Sequence, residues 1–489
     1  MGSTIPRRLG AGLLAAVAAC YSPTGPAPST PRIDYVDGAI EPVLVRGQST
    51  VIEGFGFGDI QGTGGVTFPA ASGAAVALVP DSASWSDREI RVTVPDSAIS
   101  GAVAVTTGTG QRFTAAVHVL PRVPFNGATF SWSARTDFPQ APVGIALAAA
   151  EYPSGSGLRT VLYAAGGAEP IGGDSALIAD SAVYVAQVSA SGVIGAWARQ
   201  HDTTNAVKNR ALPVRRAFAC AVVATRFNSR FNGTRLYVIG GIDSSGAAQA
   251  SVLTASITAD SDTSAFQFIE PLPAPVAGAS AVVRGGRLYV IGGVGPGGQP
   301  RSSVFVGRIG LTGHIDGWYI EPPLAGSRAY GGAVVLDDRI VAFGGIADSA
   351  DLGGGLDALP QRLVTSDTAS LSLFSGFLSG AWAGGPALLP QGRSQFATLR
   401  VGTVTLLVGG ICDGGVACPA ETIAAGVGPD SLGAFTGPAG ANTISGQGGG
   451  TVVGPAGAVW REGDGSYHGI VVGGMDLTSR LRVAGAWGF

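Results

Sequence analysis

Lysine is all but missing from these 489 residues: Lys208 stands alone, and arginine carries the rest of the positive charge. Only 13% of residues are charged and the net charge is −3, so the basic stripe that a nucleic-acid binder needs to displace counterions from phosphates is absent. Histidine is scarce too. His118, His201, His314 and His468 are the whole set, and none has an Asp three residues before it. Beyond Leu9–Ala19 there is no long apolar run, and that one is too short to cross a bilayer. The four cysteines, Cys20, Cys220, Cys412 and Cys418, do not make a zinc site, because no second Cys or His pair supplies the remaining ligands. Cys412 and Cys418 close the short loop ICDGGVAC, and an exported chain would allow them to pair; spacing alone does not establish the bridge. Cys220, within AFACAVVA, reads as a small buried hydrophobe.

What abounds is glycine, at 78 residues. Each Gly inside a helix costs about 1 kcal/mol relative to Ala, so this composition argues against a helical protein. It suits short strands joined by tight turns, where positive φ recurs. The chain is also too long for one ordinary core unless that core is built from repeats.

The N-terminus reads as an address. Arg7 and Arg8 precede the apolar run, which ends Val17-Ala18-Ala19-Cys20. This ending resembles a bacterial lipobox, which implies a signal peptide over 1–19 and lipidation of Cys20; an ordinary signal cleaved near Ala19 is the alternative. Tyr21 follows, rather than an Asp that would retain the protein at an inner membrane, so an outer-membrane or surface location is expected. The membrane is then a partner through the lipid anchor. Residues 20–31, with four prolines in YSPTGPAPSTP, form a tether.

Over 32–121 short alternating segments, such as TVIEG, GVTF, IRVTV and AVAV, are separated by Gly, Asp and Ser clusters and read as half-buried strands of a small β-sandwich. The strings IEGFGFGD, VTFP, SWSDREIRVTVPDSAISGAVAV and VHVLP resemble an IPT/TIG domain. The resemblance implies an immunoglobulin-like fold used as a spacer or modest binding module, with Trp85 as an anchor and no catalytic set. His118, in an apolar strand, is expected in the core.

From residue 125 one phrase recurs, an apolar strand ending in Gly-Gly: VLYAAGG, RLYVIGG twice, RIVAFGG, TLLVGG and GIVVGG, with pairs at 166–167, 240–241, 292–293, 344–345, 409–410 and 473–474. The spacing, roughly 50 to 75 residues, is that of a propeller blade. Strands such as ACAVVA precede the phrase, strands such as SVFVGRI follow it, and a fourth carries Trp197, Trp318 or Trp382, with Phe266 and Phe435 the substitutes elsewhere. A lone four-stranded sheet cannot bury both faces, so blades stack about an axis, with Trp as the wedge between neighbours. The set resembles the kelch repeat over 125–489. The expected fold class is therefore all-β: an immunoglobulin-like sandwich followed by a six-bladed kelch-type β-propeller. The stretches 345–380 and 425–460 are long enough to hold a seventh blade. Little follows the last Gly-Gly, so Thr129-Phe130-Ser131-Trp132 is expected to supply the missing fourth strand beside a third strand at Leu481–Ala484.

Chemistry is thin. Gly173-Asp174-Ser175 has the wording of a GDSL nucleophile block but lacks its Asp-x-x-His partner. The histidines sit in isolated contexts unlike the two-His, two-Tyr copper site of galactose-oxidase-type propellers, and no sialidase Asp-box is present. No cofactor, metal or catalytic set is expected. One repeated feature remains: Leu-x-x-x-Arg ahead of three blades, Leu212 to Arg216, Leu324 to Arg328 and Leu389 to Arg393. In kelch proteins that slot lies near a channel mouth, so Arg216, Arg328 and Arg393, with Tyr330 and Gln395 on the rim, are the candidate ligand-binding set. Guanidinium groups there would hold a carboxylate or phosphate bidentately; the alternative is that each arginine ties backbone carbonyls of the scaffold. The expected function is non-enzymatic binding or scaffolding through the propeller face, with a glycan or acidic peptide as ligand. A carbohydrate-active or oxidase-type enzyme, or a structural part of an envelope assembly, are the alternatives.

Overall fold

The computed structural model describes residues 31–489 apart from 41, 81–83, 155–156, 171–176, 201–209, 226–232, 258–262, 311, 337–338, 348–361, 371–376, 420, 429–430, 440–443, 445–450 and 477–482. Cys20, most of the tether, Gly173–Ser175 and His201 lie outside the described residues.

Two sheets make the first domain. Arg32–Val36, Ser49–Phe55 and Glu89–Thr93 form one; Val43–Val45, Arg112–Leu120, Gly101–Thr106, Gly65–Phe68 and Val76–Leu78 form the other. Their apolar alternate positions, among them Ile52, Phe57, Val66, Phe68, Ile90 and Val103, close into one core. Trp85 lies in that core and donates its indole N–H to Gly58 O at 2.9 Å. His118 does not: it is half-buried, between the buried Val117 and Val119 of its strand, because the period-two pleat turns it to the opposite face.

Six antiparallel sheets follow. Their innermost strands are Ala146–Ser154, Cys220–Thr225, Ser280–Arg284, Gly332–Val335, Ala397–Val401 and Ala456–Arg461, defining blades 1 to 6. Each touches the next and the sixth touches the first, so among the described residues the ring closes at six with no seventh blade in it. Six apolar clusters each draw on two adjacent blades, which is where the burial energy sits. Trp197 wedges between blades 1 and 6, and Trp382 between blades 3 and 4. Phe266 fills the corresponding place between blades 1 and 2, and Phe435 between blades 4 and 5.

Closure differs from expectation by a few residues. Blade 6 runs Ala456–Arg461, Tyr467–Val472, Ala486–Gly488, Ser133–Arg135, so the strand around Trp487 is the third and Ser133–Arg135 the fourth. The described part of Leu481–Ala484 is not strand: Val483 bonds back to Gly474. Thr129–Trp132 instead straps blade 5. Trp132 is buried there and donates to Thr422 Oγ1 at 3.1 Å, while Phe125, Phe130 and Trp132 pack around Phe489 with ring centroids 5.1–5.2 Å from it. The exposed Ser133, Ala134 and Arg135 after the aromatics suit an edge, whereas the aromatics demand burial.

The Gly-Gly phrase is a joint between blades. The N–H of each second glycine donates to the carbonyl of the residue that precedes the next blade by a fixed offset: Gly167 to Arg216, Gly241 to Val276, Gly293 to Arg328, Gly345 to Arg393, Gly410 to Val452 and Gly474 to Pro142, all at 2.8–2.9 Å. Both glycines take positive φ, and a Cβ on the first would press into that same carbonyl. The double glycine is thus required by backbone conformation and by close approach of the neighbouring blade.

Candidate functional site

Two residues past each joint lies a second repeated position: Gly144, Phe218, Gly278, Tyr330, Gln395 and Gly454. All six have positive φ, including the three non-glycines at 53–56°. Their backbones bond to one another in a closed circuit: Phe218 N–H to Gly144 O, Gly278 to Phe218, Tyr330 to Gly278, Gln395 to Tyr330, Gly454 to Gln395 and Gly144 to Gly454, at 2.7–3.3 Å. The left-handed conformation turns each N–H toward its neighbour, and six bonds hold three strained residues in it. Phe218 lies over Gly144 and Tyr330 over Gly278, space that only glycine leaves, and the two rings meet edge to face at 5.7 Å. The circuit and these rings plug one end of the central channel. Tyr330 and Gln395 are members of the circuit, and burial drives the Tyr330 hydroxyl pKa upward.

The three arginines do not join them there. Each is 2–3% exposed and folded back into its own blade. Arg328 donates Nε and Nη2 to Asp367 Oδ2 at 3.2 and 2.9 Å, and Nη1 to Gly344 O at 2.7 Å. Arg216 donates to Arg215 O at 2.8 Å and to Ser251 Oγ; Arg393 donates to Glu421 O at 2.9 Å. Burial lowers all three pKa values, to about 10 for Arg393, against the opposing pull of Asp243, Asp367 and Glu421 respectively. The carbonyl of each of these residues therefore holds the preceding blade while its side chain holds its own blade.

Around the plugged end stand the loops joining second to third strands, and they differ from blade to blade. In blades 2 and 3 they are the short links Ile239 to Val252 and Ile291 to Val304; in blades 1 and 4 they are the longer Ala165 to Val183 and Phe343 to Thr365. The blade 5 loop carries the Cys412–Cys418 disulfide, and Gly392 N–H donates to Asp413 Oδ2 at 2.7 Å. In blade 2, Asp243 accepts from the hydroxyl and backbone of Ser245 and from Gln249 Nε2; the Ser245 bonds chiefly hold its carboxyl below the usual range.

At the other end the channel is open. It is a cavity of ≈ 640 Å³ whose walls are the inner strands. Cys220, expected to be a buried hydrophobe, is half-buried at this wall; its thiol donates to Ala279 O at 2.9 Å and burial pushes its pKa up to about 12, which makes it unreactive. Register sorts the lining into layers. Leu147, Ala221, Ala281, Ala333, Thr398 and Gly457 form one, and Ala149, Val223, Val283, Val335, Arg400 and Val459 the next. At the lip, Arg461 and Glu151 pair at 2.6 Å beside Thr225 and Tyr467, and the first domain reaches over with Gln48, Asp37 and Pro42. Sequence reading missed Arg400, because its isolation among Ala and Val appears only when the six inner strands are aligned. Among the described residues no group of three or more His, Cys, Asp or Glu side chains could hold a metal ion, and no helix is long and apolar enough to cross a membrane.

No protein-family model matches the chain. Over 205 residues it is 31% identical to beta-scruin of Limulus polyphemus, covering 41% of this chain and 20% of that protein. It is 26% identical over 203 residues to alpha-scruin of the same animal, covering 41% and 19%. The chain thus spans about a fifth of the length of the curated relatives it matches. Among solved structures, that of YjhT superposes with a TM-score of 0.42 at 15% identity, covering 62% of this chain and 99% of that one.

Proposed function

We propose that this protein is a kelch-type β-propeller acting as a non-enzymatic binding or scaffolding module that meets its partner through the loops around the plugged end. One observation carries the reading: the repeated residues are consumed in joints and circuit, while the loops on that rigid rim vary in length among the blades and, between blades 2 and 3, in sequence. A glycan or an acidic peptide is the expected ligand. In the same reading the two-sheet first domain is an immunoglobulin-like IPT/TIG spacer on a Pro-rich tether. Export and lipidation of Cys20 would place the whole at an outer membrane or cell surface.

The test is binding of the mature chain, without Cys20, to glycan and acidic-peptide arrays. A variant whose blade 2 loop, 242–251, is replaced by the blade 3 loop, 294–303, runs beside it. Retention of every hit after loop replacement in each blade in turn would remove the loop face as the site. Fractionation of Cys20→Ser tests the anchor: unchanged membrane association would end that part of the proposal.

A second reading has support of its own. Phe268, Tyr319 and Ile320 are 54%, 49% and 74% exposed on the outer strands of blades 2 and 3, which an assembly contact would cover.

A further inference from the structure

Strand direction alternates across each blade, so the links from third to fourth strands stand at the end opposite the plugged one. The link of blade 1, Val188 to Ala198, meets the strands of blade 6 across a pocket of ≈ 350 Å³. Register fixes what blade 6 presents to it. Ile470 pairs with Gly488 and Gly488 with Ser133; Val472 pairs with Ala486 and Ala486 with Arg135. His468, Ile470, Gly488 and Arg135 therefore belong to one face of that sheet, the face packed against blade 1. Gly488 has no side chain to stand in the way, and the Arg135 stem lies over it, with Nε 2.8 Å from where a Cβ would be. On the blade 1 side Gly192, at φ +74°, brings its backbone up to the His468 ring.

The lining combines two chemistries. Trp197, Ile194 and Ile470 make an apolar wall, which Val193, 64% exposed, extends toward solvent. Arg135, His468, Thr136 and Ser191 supply polar side chains, and no carboxylate is among the described lining residues. His468 is held by its own blade: its ring stacks on Trp460, and Nδ1 donates to Phe489 O at 3.2 Å. Asp464 acts on His468 from outside the lining, where its carboxyl is tied to Ser466. Arg135 is exposed, and among the described residues its guanidinium has no hydrogen bond or ion pair. Unlike the buried arginines of the joints, this one has its donors unspent.

We infer that this pocket binds an aromatic acid of one ring, its ring against Trp197 and Ile194 and its carboxylate on Arg135. A gap between neighbouring sheets is slab-shaped and favours a flat body. At ≈ 350 Å³ it falls at the lower end of small-ligand sites, enough for one ring and too small for an oligomer. A guanidinium grips a carboxylate through two parallel N–H bonds. Nothing in the loop-face reading depends on this site.

Calorimetric titration of the full mature chain with benzoate tests this; benzyl alcohol lacks the charge and acetate lacks the ring. Saturable benzoate binding, weakened about tenfold or more in Arg135→Gln and absent for both control probes over the same concentrations, is the expected result. Ile194→Trp, which fills the pocket and leaves Arg135 in place, should abolish binding, and melting temperatures near that of the parent would show both variants folded. Arg135 is exposed on a short outer strand, so its variant keeps the test decisive should Ile194→Trp fail to fold. Failure of benzoate to bind, binding unchanged in either folded variant, or equal binding of benzyl alcohol overturns the inference. Array hits on the loop face would stand in either case.

Discussion

Consider alanine at Gly292 and at Gly246. Both glycines have positive φ, +67° and +80°, so both substitutions force an L side chain into the left-handed region, at about 1–2 kcal/mol. They differ in surroundings. Nothing lies within 4 Å of a Cβ at Gly246, which is exposed in the blade 2 loop. A Cβ at Gly292 meets Arg328 O, the acceptor for Gly293 N–H at 2.9 Å, inside a buried joint. Relief requires blades 3 and 4 to part. That forfeits a buried hydrogen bond, about 1–3 kcal/mol, and disturbs packing for about 1–3 kcal/mol more. Gly246→Ala should therefore cost about 1–2 kcal/mol and Gly292→Ala about 3–8, read as the shift in guanidinium unfolding midpoint with unchanged slope. Equal losses would refute the argument, since they would mean that backbone conformation alone explains the double glycine.

Three further outcomes are expected. Arg328→Ala should destabilise by about 3–5 kcal/mol because it strands the buried Asp367 carboxylate, and Arg328→Met with Asp367→Leu should cost less than the single change when both are unfolded in denaturant. Glu89, buried opposite Glu53 at the seam with blade 3, has its pKa raised from 4.5 to about 7, chiefly by burial and then by Glu53, against Arg91, Arg287 and Arg284. Its folded pKa lies above its unfolded one, so its favourable contribution is complete below pH 4.5 and lost as pH rises through 7. Glu89→Gln should match the parent's pH-stability curve near pH 4 and exceed it at pH 8 by roughly 3 kcal/mol at most. Removing residues 125–135 should lower the melting temperature of the whole propeller in one transition; a parent-like melt would show that the Ser133–Arg135 strand and the aromatic strap do not hold the ring closed.

The blade architecture was legible because glycine pairs are a backbone demand, and backbone demands leave fixed residues at fixed intervals. Blade count, Trp wedges and their Phe substitutes followed from the same repeat. The arginines were visible for the same reason, yet a repeated residue is as often repeated for the joint as for a ligand, and the repeat does not show that the side chains lie 2–3% exposed in their own blades. The circuit was half legible: Gly144, Gly278 and Gly454 suit positive φ, whereas Phe218, Tyr330 and Gln395 hide the same conformation behind side chains that ordinarily avoid it. Trp132 was placed in the right junction but in the wrong element, since a fourth strand and a strap that covers a neighbouring blade share aromatic wording. Arg400 carried no signal along the chain, because its meaning lies in five neighbours from five other blades.

All six donors of the circuit point the same way around. A helix stacks its peptide dipoles head to tail along a line and so carries a charge at each end. Here the same dipoles chase one another round a closed loop, and their in-plane components sum to nothing. The circuit therefore contributes no net dipole in its own plane, unlike a helix end, and lateral electrical preference on that face is left to the loops, where each blade can change it without disturbing the wheel.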